Sequence, residues 1–375
     1  MFTKINTEKD NHLVEAYVWE DLSGFKNLIK EGYNVNCLNN DGCSLISAVI
    51  ENRHSIKNNK EFFDELISSN VYLGKIGKED SLLYIAMLCC DDIYYLEKIL
   101  ENGVDVNDKI TDDLKTFFPI FYSLTLIDQD NKDNKNVFKK FPKFEALLKH
   151  NPDLNIKNKI DQPLLIYMLL HTCDVSEFNY IAPTLVEKGI DVGEVSELSQ
   201  SCFHILGYMN KQQESMSMKI ALNFLLKNGL DINAGDCSDR TPLMIASLFH
   251  NVAAVQFYIE NKADINMIDN IGQTALIKSG VYCNDLQVIN TLIDAGADVS
   301  VVDKHGSNVA LYVADRISQI KEPMKNFMPF FEKHVDLLDV KNNKGICALD
   351  IIFKTHKKEH KKLKQLINNN SKIIN

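Results

Sequence analysis

The chain has 375 residues, which is enough for two or three domains of ordinary size. Its 45% apolar and 25% charged residues, with 16 Gly and 8 Pro, exclude a disordered or fibrous chain. The net charge is −10, and only three of the 41 basic residues are arginines. A nucleic-acid-binding protein needs a basic face and uses arginine for bidentate contacts, so we expect no nucleic-acid partner.

Cysteine usage and hydropathy favour a cytoplasmic protein. The nine cysteines form no CxxC motif and show no zinc-site spacing, so we expect free, mostly buried thiols in a reducing compartment. Residues 1–11 are polar and charged, unlike a signal peptide. No run of ~18 apolar residues predicts a membrane span, so we expect no membrane insertion.

Two short sequence marks recur along the chain. The first unit, residues 12–36, is predicted to be an amphipathic helix pair and holds the single tryptophan, Trp19. Later units open with Ser, Thr or Pro before an apolar run and close with Gly or Asn before an Asp-apolar-Asn stretch. The marks are clearest after Thr241 and Thr274, which are 33 residues apart. The closing marks end at positions 36, 74, 107, 155, 193, 233, 266, 300 and 338.

Each mark has a physical role in a helical repeat. A Thr241 hydroxyl can accept an unpaired N–H at a helix start, where Pro242 costs no hydrogen bond. Gly229 and Gly296 suit the left-handed residue that ends a second helix. The Asp-containing segment that follows favours a turn. The pattern therefore predicts units of helix, turn, helix and finger that bury their apolar faces by stacking.

The marks resemble those of the ankyrin repeat family. Its TPLH-like start stands at Thr241–Met244 and Ser201–His204, and its GADVN-like finger at Ala295–Val299. The resemblance covers roughly residues 12–368 and implies an all-α, ankyrin-like helix-turn-helix solenoid of about ten repeats with short finger hairpins. It also implies that His204 hydrogen-bonds within its turn. We predict an N-terminal capping repeat (1–40), degenerate repeats with insertions (41–197), well-matched repeats (198–304), and degenerate repeats with a Lys-rich cap (305–375).

Several units exceed the 33-residue pattern, with the extra residues between the two helices. Those residues are polar and rich in Lys and Asn, so we expect solvated spacers or helix extensions at the edge away from the fingers. A mobile segment around 131–140 is the alternative there. The insertions are predicted at 52–60, 128–143, 210–218 and 318–326.

One string has a catalytic pattern. His356 to His360 matches HxxEH, in which two histidines on one helical face hold a metal beside a glutamate base. Nearby lysines oppose a cation and no acidic third ligand follows, so we favour a solvated helix face. We therefore expect no bound metal, no cofactor and no enzymatic activity. A cryptic metal-dependent activity at this string is the alternative. The pair Cys89-Cys90 is interpreted as packed or partly exposed thiols.

The remaining functional candidate is a surface. Stacked ankyrin-like units present a concave face of first helices and fingers, and such faces bind proteins. Large apolar residues at positions predicted to face solvent there are informative. For Tyr208 and Met209, burial by lengthened helices is an equal alternative. The candidate partner-binding residues are Tyr208, Met209, Leu248, Phe249, Val281 and Tyr282 at first-helix ends, and Ile268 and Val302 at fingertips.

These observations predict a non-catalytic scaffold that binds one protein partner and masks, inhibits or recruits it. The acidic balance of the chain favours a basic surface on that partner. The excess of Lys over Arg and the many Asn residues are typical of AT-rich genomes. Ankyrin-like proteins of such bacteria are often effectors or immunity proteins, so the resemblance implies one of these roles, in the cytoplasm or a host cytosol.

Overall fold

The contacts within the chain divide it after Lys159 into unit 1, residues 1–159, and unit 2, residues 160–375. This division does not test the four segments predicted from the sequence, which stay a prediction. The computed structural model describes residues 11–38, 43–51, 56–74, 81–88, 92–108, 110–112, 115–123, 142–172, 175–209, 215–320 and 324–373.

Unit 1 is a succession of antiparallel helix pairs with one short strand hairpin. Consecutive helices pack as pairs, and the first helices of neighbouring pairs also contact each other. The strands pair antiparallel, with Ile110 opposite Phe117, and lie where a finger is expected. The elements are α1 Asn11–Val18, α2 Leu22–Lys30, α3 Leu45–Glu51, α4 Asn59–Ser68, α5 Leu82–Leu88, α6 Ile93–Glu101, β1 Ile110–Asp112, β2 Lys115–Phe117, α7 Pro119–Ser123 and α8 Pro142–Lys149.

Unit 2 repeats this design, and three of its second helices, α10, α12 and α20, are longer than those of unit 1. First helices pack against first helices and second helices against second helices, as a solenoid requires. A π-helical turn at Met168–Thr172 and two 3-10 turns, Met324–Asn326 and Val335–Leu337, interrupt the α-helices. The helices are α9 Leu164–Tyr167, α10 Val175–Glu187, α11 Cys202–Tyr208, α12 Ser215–Lys227, α13 Pro242–Leu248, α14 Val252–Glu260, α15 Ala275–Val281, α16 Gln287–Asp294, α17 Val309–Ile320, α18 Met328–Lys333, α19 Ala348–Thr355 and α20 Lys357–Ile373.

The all-α solenoid architecture predicted from the sequence is confirmed within each unit. The predicted helix starts are confirmed as well, because Thr241 Oγ1 accepts from Met244 N and Thr274 Oγ1 accepts from Ile277 N, each at 3.3 Å. The helix ends follow the prediction too, since Gly296 has a φ of 97° in the left-handed region. The number of repeats, about ten, stays a prediction.

The fingers of unit 2 are loops held by a side chain and by their neighbours. In one finger, Asp236 Oδ1 accepts the N–H groups of Ser238 and Arg240 at 2.9 and 3.0 Å. Each loop then donates one backbone hydrogen bond to the preceding loop, and we call this row the finger ladder. Its four bonds, of 2.9–3.0 Å, are Cys237 N to Leu198 O, Asn270 N to Ser238 O, Lys304 N to Ile271 O, and Asn343 N to His305 O.

The predicted insertions are only partly solvated, which corrects the expectation of polar spacers. Ile56 and Met218 are buried, and Lys143 is buried with its Nζ donating to Met87 O at 2.5 Å. The reason is that α4, α8 and α12 begin inside the predicted spacers, so the last spacer residues belong to packed helices or, like Ile56, lie just before one. The remaining insertion residues at 52–55, 128–141, 210–214 and 321–323, including the segment 131–140, lie outside the described residues.

Most of the cysteines that the structure describes are buried free thiols, as expected. Burial raises the pKa of Cys202 and of Cys283 to about 12, so both are inert at neutral pH. Cys237 is exposed on a finger, and Cys89-Cys90 lie outside the described residues. In the described part of the chain, every helix is too short or too polar to cross a membrane.

Candidate functional site

The first helices of three consecutive repeats end in large apolar residues. We call these the apolar stripe: Tyr208, Met209, Leu248, Phe249, Val281 and Tyr282. Phe249 and Tyr282 are exposed, with 52% of Tyr282 accessible, and the other four are half-buried. The stripe residues stand seven and eight residues after the opening Thr or Ser, where the first helix ends and the chain turns toward the second helix. The backbone therefore holds these side chains at a common edge of the first-helix layer.

Two residues of the stripe contact each other across neighbouring repeats. The rings of Tyr208 and Phe249 pack edge to face with centroids 4.8 Å apart. Gln200 Nε2 also donates to the Tyr208 hydroxyl at 2.6 Å. Packing against a neighbour thus accounts for the half-burial of Tyr208. No hydrogen bond joins the Tyr282 hydroxyl to any of the described residues, which leaves that group available to a ligand.

The fingertips carry a second row of exposed apolar side chains. Ile268 is 56% and Val302 46% exposed, as the repeat pattern predicts for these positions. The sequence reasoning missed Leu198 and Ile271, which are also exposed on the fingers. Both lie three residues before the opening residue of a first helix. A comparison of that register position between repeats would have identified them.

The stripe ends at the fourth repeat. The first helix there, α17, begins after Asn308, whose Oδ1 accepts from Leu311 N at 3.0 Å. The two stripe positions of this repeat hold Asp315 and Arg316. Arg316 Nη2 donates to Asn284 Oδ1 at 3.0 Å, so its guanidinium covers the preceding helix turn. The apolar stripe therefore ends at charged residues on the side of α17.

Buried polar side chains connect the fingers to the first helices. Lys278 Nζ and Asp269 Oδ2 are 2.6 Å apart, with 9% and 1% of their side chains accessible. In the neighbouring repeat, Asp303 Oδ2 accepts from Tyr312 at 2.7 Å and from Gln273 at 3.0 Å. Burial alone raises the pKa of Asp303, but these bonds and backbone N–H groups lower it below its usual value. Each of these buried carboxylates is therefore satisfied, Asp269 by an ion pair and Asp303 by hydrogen bonds from neutral groups.

A similar pair lies at the second repeat. Arg240 contacts Asp236 Oδ2 through Nη2 at 2.7 Å and through Nε at 2.9 Å. Although burial raises the pKa of Asp236, the guanidinium and two backbone N–H groups hold it below the usual value. The positive charges of Arg240 and Lys278 are therefore neutralised within the chain, by Asp236 and Asp269 respectively.

His204 is structural, as the family resemblance implies. Its Nδ1 accepts from Ser201 N at 3.1 Å, and its Nε2 is 2.8 Å from Arg240 O in the next repeat. This pattern requires a neutral ring with the proton on Nε2. Burial lowers the pKa of His204, which agrees with that protonation state.

The two histidines of the HxxEH string each contact a residue of α19. His356 precedes α20, and its Nδ1 lies 2.8 Å from Thr355 Oγ1. The His360 ring packs on Phe353, with centroids 5.0 Å apart. Over the ranges described above, no three His, Cys, Asp or Glu side chains group as metal ligands.

Comparisons with known proteins identify the family. A model of ankyrin repeats in three copies matches residues 215–303. An ankyrin repeat protein of Acanthamoeba polyphaga mimivirus is 27% identical over 39% of this chain and 46% of its own length. An ankyrin repeat protein of Variola virus is 29% identical over 33% of this chain and 22% of its own length. The match thus spans less than half of either relative. Ankyrin repeats are protein–protein interaction modules, and residues 215–303, which hold most of the apolar stripe, are ankyrin repeats.

Proposed function

We propose that the chain holds a protein partner on the face formed by the first helices and fingers of residues 198–304. The observation that carries the proposal is the apolar stripe. The same two register positions are apolar in three consecutive repeats and become Asp315 and Arg316 in the fourth. A surface that only met solvent would have no reason to repeat large apolar residues at one edge. Aromatic and Met side chains are also enriched at interface centres.

The stripe has the dimensions of a compact interface. Neighbouring helices pack ~10 Å apart, so three repeats extend over ~20 Å. Phe249 and Tyr282 are the exposed aromatic anchors in this length, and Ile268 and Val302 are exposed on the fingers. A partner bound between the anchors and the fingertips would exclude water from all four of these side chains. Burial of such anchors usually dominates binding energy.

Charge favours a basic partner. Residues 215–303 contain ten acidic and five basic side chains. Two of the five, Arg240 and Lys278, are paired with Asp236 and Asp269. A partner that presents Lys or Arg around an apolar centre therefore meets a surface of complementary charge.

We further propose that binding masks, inhibits or recruits the partner without chemistry by this chain. Ankyrin-repeat proteins are generally non-enzymatic, which supports a scaffold. An effector or immunity role, in the cytoplasm or a host cytosol, is the setting we propose from lysine and asparagine usage. The relatives named above are viral proteins, and nothing in their names assigns them a partner.

The test begins with capture of the partner on the immobilised chain, followed by calorimetry with the purified partner. Phe249→Ala and Tyr282→Ala should each weaken binding by about 1–3 kcal/mol. Gln256→Ala is the matched control, because Gln256 is exposed on the second helix α14 and should leave the affinity unchanged. Thermal melting of all three variants checks folding. Normal affinity with a melting point several degrees lower in the Phe249 and Tyr282 variants would show that these residues support the fold instead.

A further inference from the structure

A second surface, independent of the apolar stripe, lies on the last two helices. Six lysines at the end of α19 and along α20 are exposed, within a chain whose net charge is −10. We call them the lysine face: Lys354, Lys357, Lys358, Lys361, Lys362 and Lys364. Solubility requires a polar outer side on an exposed helix, but it does not require one sign of charge. The single sign is the feature that needs an explanation.

The acidic groups near α20 neutralise only part of this face. Glu359, the one acid in α20, is half-buried, and Leu363 on the same side of the helix is fully buried. Lys362 pairs with Glu332 of α18 at 2.5 Å. In the described part of the chain, no carboxylate forms an ion pair with Lys357, Lys361 or Lys364.

An aromatic ring lies at the edge of the lysine face. Phe353 is 53% exposed and packs against the His360 ring. Lys357 and Lys364 are three residues before and four residues after His360, so they lie one helical turn to either side of it. The exposed phenylalanine is therefore flanked by two lysines that are not ion-paired. Lysines beside an exposed aromatic ring are typical of protein surfaces that lie in a membrane interface.

We propose that the lysine face docks this chain on a membrane surface rich in anionic lipid, with Phe353 entering the headgroup layer. Lysine is a point charge that suits a diffuse field of lipid phosphates and carboxylates. A nucleic acid is less well matched, because residues 348–373 contain no arginine for bidentate phosphate or guanine contacts. The docking is peripheral and leaves the apolar stripe open to its partner.

Co-sedimentation with lipid vesicles tests the proposal on the full chain. Binding to phosphatidylcholine–phosphatidylserine vesicles should exceed binding to phosphatidylcholine vesicles, and high salt should abolish the difference. Each lysine near an anionic surface is worth about fivefold in affinity. The triple variant Lys357→Gln, Lys361→Gln and Lys364→Gln should therefore bind about a hundredfold more weakly. Phe353→Ser should cost several-fold without changing the salt dependence.

A triple variant elsewhere provides the matched control. Lys188, Lys227 and Lys262 are exposed at the ends of second helices, and changing them to Gln removes the same charge. This variant should bind vesicles as the unmodified chain does. Equal losses in the two triple variants would overturn the proposal, since net charge alone would then explain binding. Displacement of vesicles by an equal phosphate concentration of single-stranded RNA would overturn it too, in favour of a nucleic-acid ligand. Circular dichroism melts confirm that each variant folds.

Discussion

Asn251 joins two repeats through one side chain, and its removal should destabilise unit 2. Its Oδ1 caps α14 by accepting from Ala254 N at 3.1 Å. Its Nδ2 donates to both Leu206 O and Met209 O, each at 2.9 Å, at the end of α11 in the preceding repeat. Asn251 is buried, so water cannot fully replace these bonds.

The three bonds set the size of the effect. Loss of an N-cap side chain costs about 1 kcal/mol. Each hydrogen bond to a carbonyl at the end of α11 adds about 1 kcal/mol. Asn251→Ala should therefore lower the free energy of unfolding by about 3 kcal/mol. Asn251→Ser keeps the capping oxygen but not the two donations, so its loss should be about 2 kcal/mol.

Urea titration followed by circular dichroism measures these losses, and amide hydrogen exchange assigns them to α11 and α14. Asn290→Ala, at an exposed position of α16, is the control and should change stability by less than about 0.5 kcal/mol. Repeat arrays can unfold in parts, so exchange rates in unit 2 are the more direct readout. If Asn251→Ala behaved as the control does, the bridge between repeats would contribute nothing and the reasoning would be refuted.

Three further predictions concern backbone strain at Gly296, the protonation of His204 and the metal content of the HxxEH string. Gly296→Val should cost about 1–2 kcal/mol in urea melts and Gly296→Asn less; the surroundings are open, so equal losses would contradict a cost from positive φ. Burial lowers the pKa of His204, so the unfolded chain gains its proton near pH 6.5 before the folded chain does. The free energy of unfolding should thus fall from pH 7 to pH 5, and less steeply in His204→Gln; parallel curves would exclude His204. Changing both His356 and His360 to Ala should alter stability by less than about 1 kcal/mol and leave the metal content by elemental analysis unchanged; loss of stoichiometric metal would favour the enzymatic alternative.

The sequence predicted those features that local chemistry determines. The capping by Thr241 and Thr274 and the left-handed Gly296 follow from side-chain reach and backbone sterics within a few residues. The structural role of His204 was predictable from its position in the repeat. Each of these roles depends on neighbours in the chain or on the repeat register, so one sequence is sufficient to recognise it.

Contacts between distant residues were not predictable in this way. Lys278 looks like an exposed helix lysine until Asp269 is brought against it, and Asn251 looks like an ordinary cap until α11 packs beside it. The sequence pattern places Lys143 in a solvated spacer, yet the packing of α8 buries it. Hydrophobic periodicity shows which face of a helix is apolar, but not which polar group will be enclosed with it.

The finger ladder leaves its side chains free to vary during evolution. The residues that accept its four hydrogen bonds are Leu198, Ser238, Ile271 and His305, which differ in size and polarity. Only main-chain atoms form these four bonds, so the bonds do not depend on which side chain the accepting residue carries. A substitution at any of these positions can alter recognition while the loops keep their spacing. New binding specificities can therefore arise here by single mutations, without compensating changes in neighbouring repeats.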